Sequence, residues 1–418
     1  MTHFDYRDGE LFAEDVPLSR IAEAVGTPVY VYSETALTDA YRRFAGALAE
    51  AGLDARVCYA MKANSNPNIL KLVKSYGLGV DIVSEGEFKL AQHCKFDGSE
   101  INFAGVGKTI EELDLALELD IDHFNVESRF ELELLEKRAS IAGKKAAVLL
   151  RLNPDIDPQT HPHISTGLKQ NKFGMSPEKV RHFLTHAESY PHIQFDGIHC
   201  HIGSQIVQPQ PFYDLIDYLD QFTSSLRAEG IEFSHIDLGG GFGVNYEDPF
   251  EDILETTPFL ESIANRALEK LGEYQLHIQP GRVLVANAGI LLARVLGNKE
   301  NGGHQFVIID GATTDLIRPA MYDAYHAVYS HLEDRPTHMG DVVGPVCESS
   351  DALARNRELP EFEKDDLMII GSAGAYASSM GSTYNMRPLS PEIMVGLSGA
   401  TQLLRKRQSF DEMISLYP

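Results

Sequence analysis

From residue 33 onward the apolar positions fall into a repeated order of strand, polar turn and helix. Leu37, Tyr41, Phe44 and Leu48 recur at helical spacing behind Ser33, a suitable N-cap, and predict a helix over Thr35–Ala51. The run Val57–Ala60 has strand composition and breaks at Asn64, Ser65, Asn66 and Pro67. Further strands are expected at Gly79–Val83, Ile101–Phe103, His123–Val126, Ala147–Leu152, Phe195–His201, His235–Leu238 and Leu276–Gln279. Helical stretches such as Ser84–Lys95, Thr109–Leu119, Ser128–Ala142 and Pro177–His186 separate them. Eight strands alternating with helices predict an α/β fold, and their spacing favours a closed (β/α)8, TIM-like barrel over an open doubly wound sheet.

The texture differs at both ends of the chain. Phe4–Phe12 and Pro28–Tyr32 read as strands before the first barrel element. After Arg282 come short β-rich runs at Val283–Val295, Gln305–Asp310, Ala327–Ser330, Thr337–Val342 and Asp366–Ile370, punctuated by Gly and Pro. These predict an antiparallel sandwich or barrel that the N-terminal strands join. The expected division is a barrel domain over 36–282 and a β-rich domain made from 1–35 and 283–418.

A chain of 418 residues is long for one core, in keeping with two domains. Its net charge of −25 argues against nucleic acid or an anionic membrane as partner. No apolar run reaches the about 18 residues of a membrane span, and Met1–Glu14 lacks the plan of a signal peptide. Cys58, Cys94, Cys200 and Cys347 are scattered without metal or CxxC spacing, which points to free thiols and the cytoplasm.

Candidate chemistry gathers where strands end. Lys62 follows Val57–Ala60, and the carboxyl ends of barrel strands are where such folds keep reactive groups. An amine in apolar surroundings loses pKa and can condense with an aldehyde such as pyridoxal phosphate. His199 and His201 bracket Cys200 at the next candidate mouth, where a histidine can stack on a flat ring and Ser204 can meet a phosphate. No acidic or cysteine partner stands at ligand spacing, so a metal is not expected there. Gly239, Gly240 and Gly241 let backbone amides approach an anion, and Arg282 adds a cation one strand later, in Gln279-Pro280-Gly281-Arg282. Farther on, Arg318 and Tyr322 could share a carboxylate, and Cys347 beside Glu348 could supply a proton and an ammonium contact. Taken singly, each also suits a salt-bridged, buried or core residue.

Tyr59–Asn64, His201–Ser204, the triple glycine, Pro280–Arg282, Cys347–Asp351 and Gly374–Tyr376 occur in an order that resembles the alanine-racemase-like, fold-type III pyridoxal-phosphate decarboxylases. Asn153–Asp155, Thr160–Leu168, Asn171–Gly174, Asp315–Pro319 and Tyr322–His326 extend the resemblance over essentially the whole chain. It implies pyridoxal phosphate on Lys62, with His201 against its ring and Asp81 and Glu87 near the lysine. Ser204, Gly239 to Gly241, Gly281, Arg282 and Tyr376 would surround the phosphate or the substrate near it. Arg282, Arg318, Tyr322 and Glu348 would grip the far end of the substrate. Cys347 would protonate Cα from the other subunit of a homodimer, and the loop His161–Gly174 would cover the site. The implied reaction is decarboxylation of meso-2,6-diaminopimelate to L-lysine and CO2.

The main departure from the pattern is at one position. The family places a glutamate at the cofactor's ring nitrogen, and this chain has Gln279. A neutral amide can hydrogen-bond there but brings no charge to hold a proton, a difference of roughly 1.4–4 kcal/mol. Gly311-Ala312-Thr313-Thr314 and His163 are lesser departures. They leave room for a decarboxylase of another basic or D-configured amino acid, or for an impaired homologue that only binds a partner. A racemase would need a tyrosine base facing the lysine and an arginine at the ring nitrogen, where this chain carries Cys347 and Gln279.

Overall fold

All eight expected strands form and pair in chain order: Ala55–Ala60, Gly79–Ile82, Ile101–Phe103, His123–Val126, Ala146–Arg151, Ile193–His199, His235–Asp237 and Gln275–Ile278. Every pairing is parallel, and Gln275–Ile278 returns to Ala55–Ala60, so the sheet closes into a barrel. The computed structural model describes residues 3–157, 172–250 and 256–418. The strands are largely buried on both faces, which is why apolar residues dominate them; Val80, Ile82, Leu149 and Ile236 are wholly inaccessible.

Capping fixes where each helix begins after its strand. Ser84 accepts the Glu87 N–H, Ser128 that of Glu131, and Ser176 that of Lys179. Thr109 and Glu112 complete a capping box. Each cap is worth about 1 kcal/mol, and those at Ser84, Thr109 and Ser128 sit in connections of a few residues between strand and helix. The Ser84 turn lies between the candidates Asp81 and Glu87.

The chain divides into two compact units, Arg43–Gly243 with Leu254–Gly281, and Met1–Arg42 with Val244–Ile253 and Arg282–Pro418. The first contains the barrel. The second is built on a nine-stranded sheet whose central strand, Gly289–Asn301, pairs with Val29–Ser33, His304–Ile309 and Leu367–Ile370. Its core packs Leu11, Leu18, Val29, Val31, Ile290, Leu292 and Ile369.

Three features of this unit differ from expectation. The sheet is mixed, because His304–Ile309 runs parallel to Thr337–Val343 and Val29–Ser33 runs parallel to Glu392–Val395. Long connections between the paired segments permit that geometry, and local periodicity does not report it. Phe4–Phe12 turns at Asp8 and Gly9, both with positive φ, into strands Phe4–Arg7 and Glu10–Ala13. With Val16–Pro17 they form a separate three-stranded sheet, so only Val29–Ser33 joins the large one. Finally, Arg282–Val285 is a helical turn and the strand starts at Gly289.

Candidate active site

The turn bearing Lys62 is held from both sides. Ala60 N–H donates to the Pro280 carbonyl at 2.9 Å, and Tyr59 Oη donates to the Asn64 carbonyl at 2.9 Å. Asn64 Oδ1 accepts the Asn66 N–H, and Asn66 in turn caps the helix Pro67–Ser75. Met61 and Ala63 are buried, whereas the Lys62 side chain between them is exposed. The apolar surroundings expected for this amine are therefore confined to its neighbours.

Two carboxyls flank this mouth. Asp81, in the strand Gly79–Ile82, is buried with Oδ1 accepting no hydrogen bond from the described residues. Burial pushes its carboxyl up to about 7, against the pull of Lys62. Glu87 accepts the Val83 N–H at 2.7 Å, and burial raises it as well. Across the barrel Gly240 N–H donates to His201 Nδ1 at 3.1 Å. Burial, then the charges of Lys62 and Arg151, hold His201 well below its ordinary value. The ring is therefore neutral, with its proton on Nε2. His199 is fully buried, with both ring nitrogens unpartnered among the described residues, and is depressed by burial and then by Arg151.

The glycine loop is shaped by close backbone approach. A Cβ on Gly240 would lie 2.1 Å from the Gln279 carbonyl oxygen, and one on Gly241 (φ +109°) 2.4 Å from that of Gly203. No side chain fits, so the loop offers bare main chain. Gln279 donates its Nε2–H to Asp237 Oδ2 at 2.7 Å, and both side chains are buried. An exposed amine at a strand's carboxyl end, a neutral flat imidazole, a bare glycine loop and a buried amide are groups that suit an anionic, aldehyde-bearing aromatic ring.

The β-rich unit assembles a second set of groups. Arg282 and Arg318 are both buried, and Tyr246 receives them together. Arg282 Nη1 donates to Tyr246 Oη, and the Arg318 guanidinium lies 4.7 Å from the Tyr246 ring centroid. Tyr376 covers Arg282 at 4.8 Å and holds φ at +54°, an uncommon backbone for tyrosine. Arg318 Nη1 donates to His326 Nε2 at 2.7 Å, and His326 Nδ1 donates to the Gly371 carbonyl at 2.8 Å. Burial and Arg318 keep His326 well below its usual value, so it serves as a neutral acceptor. The result is two desolvated guanidinium groups sharing Tyr246, an arrangement that can recognise carboxylates or phosphates.

Not every expected residue joins these clusters. Tyr322 is the last residue of the short helix Arg318–Tyr322 and is half-buried. Cys347 and Glu348 are exposed, and their hydrogen bonds stay in their own loop and with Asn385. Ser204 is half-buried behind the strand Ile193–His199. Of the cover expected at His161–Gly174, all but Lys172, Phe173 and Gly174 lies outside the described residues. Tyr246, His326, Arg151 and the pairing partner Asp237 had no role in the sequence reading. Asp237 stood inside an expected strand and His326 inside a quoted motif, but only the fold shows what they touch.

The sequence profile described as "Pyridoxal-dependent decarboxylase, pyridoxal binding domain" matches residues 35–286, more than half of the chain. The chain is 44% identical to a diaminopimelate decarboxylase of Pseudomonas aeruginosa, over 99% of this chain and 98% of that one. It is 43% identical to one of Zymomonas mobilis over the same shares. Among solved structures it resembles the diaminopimelate decarboxylase of Helicobacter pylori complexed with L-lysine, with a TM-score of 0.88 and 37% identity, covering 96% of this chain and 98% of that one. The corresponding values for the M. jannaschii enzyme are 0.92 and 36%, covering 100% and 98%. No helix among the described residues is long and apolar enough to cross a membrane.

Proposed function

Since the chain belongs to the pyridoxal-dependent decarboxylases, and within them to the diaminopimelate decarboxylases, we infer that it converts meso-2,6-diaminopimelate to L-lysine and CO2. The observation that carries this reading is the full-length similarity to diaminopimelate decarboxylases together with Lys62 at the carboxyl end of a barrel strand. Bound pyridoxal phosphate supplies an electron sink for the pair left on carbon as CO2 departs.

The chain's own residues divide the work between holding and protonation. Lys62 anchors the cofactor aldehyde, and neutral His201 lies against the cofactor ring without adding charge. Asp81 stands near the lysine, Gln279 meets the ring nitrogen, and Gly281 continues its turn. Ser204, Gly239, Gly240, Gly241, Arg282 and Tyr376 take the phosphate or the substrate near it. Arg318, Tyr322 and Glu348, with Arg282, select the far amino-acid end of the substrate. The cofactor is assigned to the domain 36–282, and the far-end grip to the domain made from 1–35 and 283–418.

Cys347 delivers the proton to Cα from the partner subunit of a homodimer. The exposure of Cys347 and Glu348 supports that assignment, since neither is engaged with the arginine pair of its own chain. Free thiols at Cys58, Cys94, Cys200 and Cys347 support a reducing compartment, the cytoplasm.

The test is to load the purified protein with pyridoxal phosphate and follow CO2 and lysine. Diaminopimelate should give both in equal amounts, while L-lysine, L-ornithine and L-arginine release no CO2. Release from ornithine or arginine at comparable rates would overturn the substrate assignment. Borohydride trapping should leave the cofactor's mass on the peptide containing Lys62.

A further inference from the structure

Gln279 is the residue at which this chain leaves the family pattern, and the fold surrounds it with an unusual amount of control. The strands His235–Asp237 and Gln275–Ile278 are adjacent and parallel, with Asp237 opposite His277. Their ladder continues past both strand ends, as Leu238 N–H donates to the His277 carbonyl and Gln279 N–H to the Gly239 carbonyl at 2.8 Å. The main chains at 237 and 279 are therefore in fixed register before any side chain is considered.

The side chains complete the lock. Asp237 is wholly buried; its Oδ1 accepts Gly239 N–H at 2.8 Å and its Oδ2 accepts Gln279 Nε2–H at 2.7 Å. An ionised carboxylate can only accept hydrogen bonds, so the amide must present its nitrogen. Because an amide is planar, Oε1 then faces away from Asp237.

Resting on the reading that Gln279 meets the cofactor's ring nitrogen, we propose that Asp237 is a positioning residue that makes Gln279 an acceptor there. An unconstrained glutamine could offer either end. Its NH2 would stabilise an unprotonated ring nitrogen, and its Oε1 a protonated one. Asp237 claims the NH2 and leaves Oε1, the end that favours the better electron sink. Its negative charge also polarises the amide toward the oxygen, supplying through one hydrogen bond part of the charge that a glutamate would carry itself. Gly240 belongs to the same device, because any side chain there would displace the Gln279 carbonyl.

Ionisation of Asp237 is finely balanced. Burial raises its carboxyl to about 7, while Gly239 N–H, His123, Gln279 and Arg151 oppose the rise. Below that point a protonated Asp237 can donate to Oε1 and release the amide to turn. The lock therefore holds on the alkaline side of neutrality and loosens on the acid side.

The test reads the ring nitrogen directly. The full-length protein is loaded with pyridoxal phosphate carrying 15N in the ring, and its nitrogen resonance is recorded by solid-state NMR for the wild type, Asp237→Asn and Gln279→Leu. The wild type should show a protonated nitrogen at pH 8. Asp237→Asn should shift the resonance to the unprotonated position and weaken cofactor binding by roughly tenfold. Gln279→Leu should also shift it.

If Gln279→Leu moves the resonance and Asp237→Asn does not, Asp237 has no such role although the ring-nitrogen reading stands. If neither moves it, that reading fails and takes the inference with it. Should Asp237→Asn not fold, the wild-type resonance decides: it should change with a midpoint near pH 7, and a flat profile from pH 6 to 8 would overturn the proposal.

Discussion

Arg318 shows how one side chain can be committed to a ligand by what surrounds it. It is buried, packs on Tyr246, and spends one N–H on a histidine whose other nitrogen is fixed to the Gly371 carbonyl. On the reading proposed above the rest of its planar fork takes a carboxylate of the substrate, and a lysine cannot reproduce that geometry. Arg318→Lys should raise KM for diaminopimelate by at least about tenfold, the loss of roughly one charged hydrogen bond, with cofactor affinity unchanged; steady-state kinetics and cofactor titration check this. Gln279→Glu would place a second carboxyl within hydrogen-bonding reach of Asp237. Two such groups hold one proton between them. At neutral pH the remaining charge can then sit on residue 279 itself, and turnover should rise by up to about tenfold, one pKa unit of differential interaction. A fall in turnover would show that the amide is tuned to this enzyme.

The barrel strands also carry a second polar cluster with consequences for stability. His123 lies between Asp122 at 3.1 Å and Asp196 at 3.3 Å, and the rings of His235 and His277 pack on it at 4.8 and 5.4 Å. Arg56 faces Asp122 at 3.4 Å, completing the charged surroundings. Burial works against the His123 imidazolium, yet the two carboxylates raise it to about 9, while burial, then His123, lowers His277 to about 3. A raised histidine contributes stability fully below its unfolded pKa of 6.5 and loses it as pH rises through about 9. A depressed histidine has the opposite effect, and stability falls as pH drops from 6.5 toward about 3. This cluster's own contribution to stability should therefore be greatest near pH 6.5, and comparing His123→Gln with the wild type in denaturation midpoints should show a flatter alkaline limb in the variant. Nothing in the spacing of these residues along the chain announces the cluster. The barrel strands themselves were legible, because burial on both faces makes them short, mainly apolar runs, and Ser84, Thr109 and Ser128 cap the helices that follow three of them. Ala352–Pro360 was not, since Arg355, Asn356, Arg357 and Glu358 are partly or fully exposed and break the apolar pattern. Motif order singled out Lys62, His201 and Arg318 as candidates. Tyr246 and the Asp237 contact depend on strand register and on contacts far apart in sequence, which local patterns do not encode.

For the molecule as a whole, the exposed Cys347 loop predicts complementation between copies. Lys62→Ala and Cys347→Ala chains, each inactive, should recover up to about a quarter of wild-type activity when mixed and re-equilibrated. That is the statistical share if half the dimers are hybrids and each hybrid holds one intact site. No recovery, with subunit exchange demonstrated, would place Cys347 in its own chain's site. The most direct test of the decarboxylase reading is the position of deuterium in lysine formed from meso-diaminopimelate in heavy water. Removal of the carboxyl from the D-centre followed by protonation at the same carbon predicts L-lysine with a single deuterium on Cε and none on Cα. D- or racemic lysine, deuterium on Cα, or no lysine at all would contradict it.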